Sequence, residues 1–293
     1  LLYALLIGMA LHFPAARPRL LPGIGFSSRT VLQVGVALLG LRISFTQILA
    51  LGVTPVMIAL VAVPATILFG LLLARRLGMT KSQGVLTGGA VAICGASAAM
   101  AIAAVLPERR ESEQQLIFTV VGVTALSTIA MVLYPLLVAL LNMPGEQAGF
   151  FLGGSIHNVP QAVGAGYMIS GAAGDTATFT KLLRVSVLAP AVLIISVTVA
   201  RGGHASTGGA ALPGFLLAFA ALVIANSLGW IPESLHAPLE TLSQACLVAA
   251  IAAIGLKTSF RELAKLGWRP VLLITSETLF LAGVVLAGLQ FLK

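Results

Sequence analysis

The sequence predicts an all-α polytopic membrane protein, and three observations carry that prediction. Hydrophobic residues make up 58% of the 293-residue chain and charged ones 9%, with a mean hydropathy of +1.05, where a soluble domain is about a quarter charged. The apolar residues fall in long continuous runs, near the ~20 residues that a helix needs to cross the hydrocarbon core, and not in the alternating ten-residue segments of a membrane β-barrel. The basic residues collect in short gaps between these runs, which is where topology is encoded. The net charge of +8 is therefore read as orientation, not as nucleic-acid binding. No gap is large enough for a soluble domain, so 1–293 is expected to be one transmembrane domain.

Ten apolar segments are expected, at 1–13, 30–49, 52–74, 84–106, 115–141, 147–170, 177–200, 212–231, 239–256 and 269–292. Pro and Gly punctuate the gaps, as at Pro14, Pro18 and Pro22, then Pro107, Pro144, Gly202, Pro232, Pro238 and Pro270. The first segment would be only about 20 Å long as a helix, so a start upstream of Leu1 is expected. If each segment crosses once, eleven Lys and Arg residues fall on one side and six on the other. The richer side is expected to be cytoplasmic. Gly40-Leu41-Arg42-Ile43-Ser44-Phe45 closes the second segment and Gly255-Leu256-Lys257-Thr258-Ser259-Phe260 closes the ninth. This short echo, seven crossings apart, is what inverted repeats would produce; coincidence is the other reading. Cys94 and Cys246 both lie in apolar runs, which argues against a disulfide scaffold, and no Cys/His cluster has metal-ligand spacing.

Two segments differ from lipid-facing helices. The core helices are expected around 84–106 and 147–170. The first contains Gly88-Gly89-Ala90-Val91-Ala92-Ile93-Cys94-Gly95-Ala96-Ser97-Ala98; the second contains Gly153-Gly154-Ser155-Ile156-His157-Asn158-Val159-Pro160-Gln161. Glycine costs about 1 kcal/mol per helical position relative to Ala, so at this density it signals close packing or a break. Pro160 removes a backbone donor, and the freed carbonyls need a polar partner or a cavity. Discontinuous helices lining a polar site are the expectation.

Polar and ionisable residues at membrane depth are functional by default. His157, whose imidazole titrates near neutral pH, could relay protons; a hydrogen bond to a neighbouring helix is the alternative. Ser155, Asn158 and Gln161 are candidate substrate contacts. Ser97 and the Cys94-Gly95-Ala96 backbone could present unpaired N–H groups to an anion, or form a small-residue packing face. Lys181 and Arg184 open the seventh segment, against the helix dipole, where Arg184 could pair with an oxyanion. Glu277, in the tenth segment, is a second proton-carrier candidate. Arg42 and Lys257 end apolar helices, where the dipole favours cations. Asn226 reads as an interhelical bond, and Glu108-Arg109-Arg110-Glu111-Ser112-Glu113 as a solvated loop.

On these residues the sequence resembles the YeiH-type sulfate exporter family of bacterial membrane proteins over essentially its whole length. The stretches that carry the likeness are Gly40-Leu41-Arg42, Ala92-Ile93-Cys94-Gly95-Ala96-Ser97-Ala98, Gly154-Ser155-Ile156-His157-Asn158-Val159-Pro160-Gln161, Lys181-Leu182-Leu183-Arg184-Val185 and Ala253-Ile254-Gly255-Leu256. Some relatives have a glutamate after the histidine where this chain has Asn158, so a scheme needing a carboxylate there does not carry over. The resemblance implies the wider grouping of bile-acid and arsenite carriers, with inverted repeats, a panel domain and a core domain of crossing discontinuous helices. It also implies a small anionic substrate, sulfate or an organosulfonate.

The expectation is a secondary transporter, not an enzyme, in the bacterial inner membrane, working by alternating access without a cofactor. H+ or Na+ is the coupling ion. The expected partners are the substrate anion and the lipid bilayer, with a homodimer as an option. A sodium-coupled organic-anion symporter is the alternative within the class. Outside it stand an intramembrane serine hydrolase built on Ser97 and His157, and a membrane sensor for which no signalling domain is present.

Overall fold

A computed structural model describes residues 20–41, 54–103, 105–107, 112–200, 214–257 and 267–290, with single positions between 4 and 11. Among the described residues the chain is helical. Helix α1 (Leu21–Phe26), with Pro22 in its first turn, passes through a π-helical turn at Ser27–Val31 into α2 (Leu32–Leu38) and a 3-10 turn at Leu39–Leu41. There follow α3 (Thr54–Arg76), α4 (Lys81–Ala92), α5 (Ala96–Ala103) and α6 (Ser112–Leu140). Next come α7 (Gly145–Ser155), α8 (Val159–Ile169), α9 (Gly171–Ser186) and α10 (Leu188–Ala200). The described chain closes with α11 (Gly214–Ser227), α12 (Glu233–Lys257) and α13 (Trp268–Leu289).

Five stretches are long and apolar enough to cross a membrane: Val56–Arg76, Gln114–Leu140, Gly171–Thr198, Glu233–Ala253 and Trp268–Leu289. They match the third, fifth, seventh, ninth and tenth expected segments. A full set of ten spans and an inverted repeat stay expectations, because most of 1–13 and all of 42–53 lie outside the described residues, Arg42 among them. The same holds for Thr258–Phe260 and for Glu108–Glu111.

Two boundaries differ from the sequence reading. The seventh segment starts at Gly171, six residues early, because the Ser170 hydroxyl accepts from the Ala173 N–H at 3.1 Å and caps the helix. Lys181 and Arg184 consequently lie in the second half of α9, not at its start. The ninth starts at Glu233, and Pro238 sits inside it, forfeiting one bond to the carbonyl four residues back.

Both glycine-rich segments are broken. α4 ends where Ile93 leaves helical geometry (φ −108°, ψ −83°) and Gly95 takes φ +68°. That left-handed conformation is cheap for glycine and strained for other residues. α7 ends at extended Ile156 (φ −73°, ψ 138°), and α8 restarts after extended Asn158. Pro160 then falls in the first turn of α8, where a missing N–H breaks no helical bond.

Other glycines act by size. A Cβ on Gly84 would come within 2.7 Å of the Gly70 carbonyl, and one on Gly88 within 3.0 Å of Ile67 Cα, so α4 lies backbone to backbone on α3. Gly149 and Gly153, one turn apart, likewise press α7 onto α9 at the carbonyls of Ala173 and Ala177. Small residues at i and i+4 are how membrane helices approach this closely.

The helices form two groups. In one, α11 and α12 both pack on the stretch Leu21–Leu41; the Ser243 hydroxyl donates to the Gly35 carbonyl at 2.8 Å, and Gly40 abuts Phe219 and Val223. The second group comprises α3 to α10 and α13, and among the described residues the two meet chiefly where Gly164 of α8 faces Ile251 of α12. Leu60, Leu68, Leu136, Leu193 and Leu279 point outward, while Lys181, Arg184, His157 and Glu277 are buried. That arrangement, apolar outside and charged inside, suits a bilayer.

Candidate functional site

The two breaks meet. Gly95 has no room for a Cβ because the Asn158 side-chain oxygen occupies that place. Behind both breaks runs α9, whose two buried cations reach the carbonyls that α4 and α7 leave unpaired at their C-terminal ends. Lys181 Nζ donates to Ile93 O at 2.7 Å and to Ile156 O at 3.0 Å. Arg184 Nε and Nη2 donate to Ala92 O at 2.8 and 2.5 Å, and Nη2 also to Val91 O at 2.9 Å. Its Nη1 donates to Gly154 O at 2.7 Å and to Gly153 O and Ile156 O at 3.2 Å.

Helix C-termini leave their last carbonyls without partners and carry negative partial charge. One helix therefore satisfies both ends at once. Among the described residues no carboxylate pairs with Lys181 or Arg184. The sequence reading offered Arg184 as a partner for an oxyanion. Its N–H groups face backbone oxygen.

On the other side of each break a helix begins. The N–H groups of Ala96 and Ser97 in α5, and of Val159 and Gln161 in α8, have no hydrogen-bond partner among the described residues. Ser97 is exposed, and Ala96 and Asn158 are half-buried. Neither the Ser97 hydroxyl nor the Asn158 amide is hydrogen-bonded within the described residues. Cys94 is buried, its sulfur in reach of the Ala98 N–H. The accessible side of the crossing thus consists of the α5 N-terminus with Ser97 and of Asn158, while the α8 N-terminus behind Asn158 is buried.

Ser155 and Gln161 play a different part from the one expected. Ser155 is buried and donates to the Phe151 carbonyl of its own helix at 2.5 Å. Gln161 Oε1 accepts from Ser127 Oγ at 3.1 Å, and its Nε2 donates to Thr128 Oγ1 at 3.1 Å. Ser127 in turn accepts from the Asn158 N–H at 3.0 Å. Gln161 and the Ser127–Thr128 pair of α6 thus tie the second break to α6. Sequence reasoning passed over that pair, although two adjacent hydroxyls inside an apolar span were a visible signal.

His157 is buried with Nε2 2.9 Å from Thr278 Oγ1, which is itself 2.8 Å from the Ile274 carbonyl. If the single hydroxyl proton goes to Ile274, Nε2 carries the ring hydrogen. Nδ1 has no partner of hydrogen-bond geometry, though the Val91 carbonyl lies close by. Glu277, next along α13, points instead into the seam of α3 and α4. Its Oε1 accepts from Thr87 Oγ1 at 2.8 Å, and its Oε2 has no partner among the described residues. His157 and Ser97 are not hydrogen-bonded to each other, so the dyad a hydrolase would need is not assembled. Among the described residues no three His, Cys, Asp or Glu side chains are grouped to hold a metal ion.

The family described as conserved hypothetical protein 698 matches residues 1–274. The UPF0324 membrane protein CT0845 of Chlorobaculum tepidum is 49% identical over 298 residues, covering all of this chain and 83% of that protein. The UPF0324 membrane protein TauZ of Paracoccus denitrificans is 51% identical over 299 residues, covering all of this chain and 88% of the relative. A UPF0324 membrane protein of Pseudomonas putida is 32% identical over 272 residues, 90% of this chain and 76% of its own. No solved structure matches. Broken helices, a buried charged crossing and an apolar exterior thus belong to a chain of the conserved hypothetical protein 698 family, the UPF0324 membrane proteins.

Proposed function

We propose that this protein is a secondary carrier of the bacterial inner membrane that exports or exchanges a small anion by alternating access. The observation that carries the reading is the pair Lys181 and Arg184, two buried cations whose partners among the described residues are carbonyls, at a crossing where two helix N-termini keep N–H groups without partners. Buried charge without a counter-charge is costly, and an anion at the crossing would supply it. Helix N-termini suit anions through their N–H groups and dipole. Carriers commonly hold substrate where half-helices meet near the midplane.

In this reading the Ser97 hydroxyl, the Asn158 amide and the N–H groups of Ala96 and Ser97 touch the anion. Gln161 and Ser155 shape the break, and Cys94 and Gly95 form the turn. His157 and Glu277 are the candidates for carrying a proton. Sulfate or an organosulfonate as substrate follows from the family resemblance.

Uptake of labelled sulfate and of a small sulfonate into proteoliposomes, with pH or sodium gradients imposed, tests the proposal. Saturable flux above that of empty liposomes is expected. No flux of any anion under any gradient refutes it.

A further inference from the structure

We propose that Lys181 and Arg184 together are a resident cation, permanently filling the carbonyl cage that broken transport helices otherwise offer to a coupling metal ion. In discontinuous transport helices the unwound carbonyls and half-helix C-terminal ends are the groups that coordinate Na+. Here α4 and α7 supply such a set: the carbonyls of Val91, Ala92, Ile93, Gly153, Gly154 and Ile156. All of them already accept N–H groups of one ammonium and one guanidinium, at 2.5 to 3.2 Å. Both side chains are essentially sealed from solvent. A sodium ion entering there would have to displace a tethered donor and would sit against two like charges.

Guanidinium suits this place because it is planar, always charged and weakly hydrated, with five donors in a rigid fork. A compact ammonium bridges the carbonyls of Ile93 and Ile156, the residue at each break. The positive charge that a coupling ion would bring and take away is thus covalently fixed. Given the carrier reading above, the consequence is that anion movement does not depend on sodium, which sets aside the sodium-coupled alternative and leaves proton coupling or uncoupled exchange.

The test compares thermal unfolding of purified wild type and Arg184→Ala in detergent, in sodium, potassium or choline chloride at one ionic strength. A second series adds low-millimolar methylguanidinium. Wild type is expected to unfold at the same Tm in all three salts; a Tm raised specifically by sodium overturns the proposal. Removing one partner of a buried charge cluster is severe, so Arg184→Ala is expected to lose on the order of 10 °C. Part of that loss should return with methylguanidinium or an alkali cation and none with choline. A variant as stable as wild type, or one rescued by no small cation, overturns the assignment.

If Arg184→Ala yields no folded protein, Lys181→Ala with methylammonium as the rescuing ion is judged by the same criteria. Flux is read separately in proteoliposomes. Transport that requires a sodium gradient overturns the resident cation while keeping the carrier. Salt-independent Tm with cation rescue, but no anion flux, keeps the resident cation and refutes the carrier.

Discussion

In the carrier reading, Asn158 is the side chain on which anion affinity would turn most directly. Its amide abuts Gly95 and its backbone N–H is held by Ser127, yet the amide itself has no hydrogen bond among the described residues. Two like charges about 4 Å apart repel by roughly 4 kcal/mol at an effective dielectric of about 20. Asn158→Asp should therefore weaken sulfate binding by on the order of a hundredfold or more in a titration of the purified protein. Asn158→Ala should lose only the worth of a neutral hydrogen bond, about 1 kcal/mol. Equal effects of the two would show that the residue acts through packing.

His157→Gln keeps an N–H within reach of Thr278 and removes the titrating ring. Exchange of sulfate across the membrane without a gradient should persist within a few-fold, while accumulation driven by a pH gradient disappears. If the variant still accumulates, the proton is carried elsewhere and Glu277 is next to be tested. At this scale the sequence exposed which residues were unusual but not what they touch. Arg184 stood out as a membrane-depth cation. That its partners would be carbonyls ninety residues away at Val91 and Ala92 depends on tertiary contact, which no local pattern encodes.

Broken helices were legible because their cause is local. Gly95, Pro160 and the polar residues beside them weaken the helix whatever surrounds it, and both interruptions appear where those residues stand. The close seams were half legible: the glycines of these stretches signalled either packing or a break, and the structure assigns Gly88 and Gly153 to packing, together with Gly84 and Gly149, which the sequence reading had not singled out. Helix starts were read less well. Ser170 caps α9 and opens it at Gly171, ahead of the apolar run from which the seventh segment was read.

The seam of α7 on α9 has its own measurable consequence. Gly153→Leu would drive a side chain into the Ala177 backbone and pull the Gly153 and Gly154 carbonyls away from Arg184. Overpacking typically costs about 1–3 kcal/mol, so Tm should fall by roughly 3–10 °C, with anion binding weakened as well. Unchanged Tm and affinity would mean that the seam is looser than its geometry implies.

For the molecule as a whole, composition identified the class and the structure adds the division of labour. One helix group holds every residue of the candidate site, and the other, built from Leu21–Leu41, α11 and α12, touches it along a narrow front. A ligand that binds only the native state stabilises it by about 2.7 kcal/mol at a hundred times its Kd. Sulfate, or a sulfonate if that is the cargo, should thus raise Tm by roughly 5–10 °C. Phosphate-free chloride at equal ionic strength should not, and a shift no larger than chloride produces would leave these anions without a site.

Because α9 grips α4 and α7 from one side, neither half of the crossing can travel alone. Any excursion of α4 relative to α7 would tear Lys181 or Arg184 from one set of oxygens while the other set held on. In the carrier reading the clasp would make the crossing move as one piece, with the sliding surface at the front where, among the described residues, Gly164 meets Ile251.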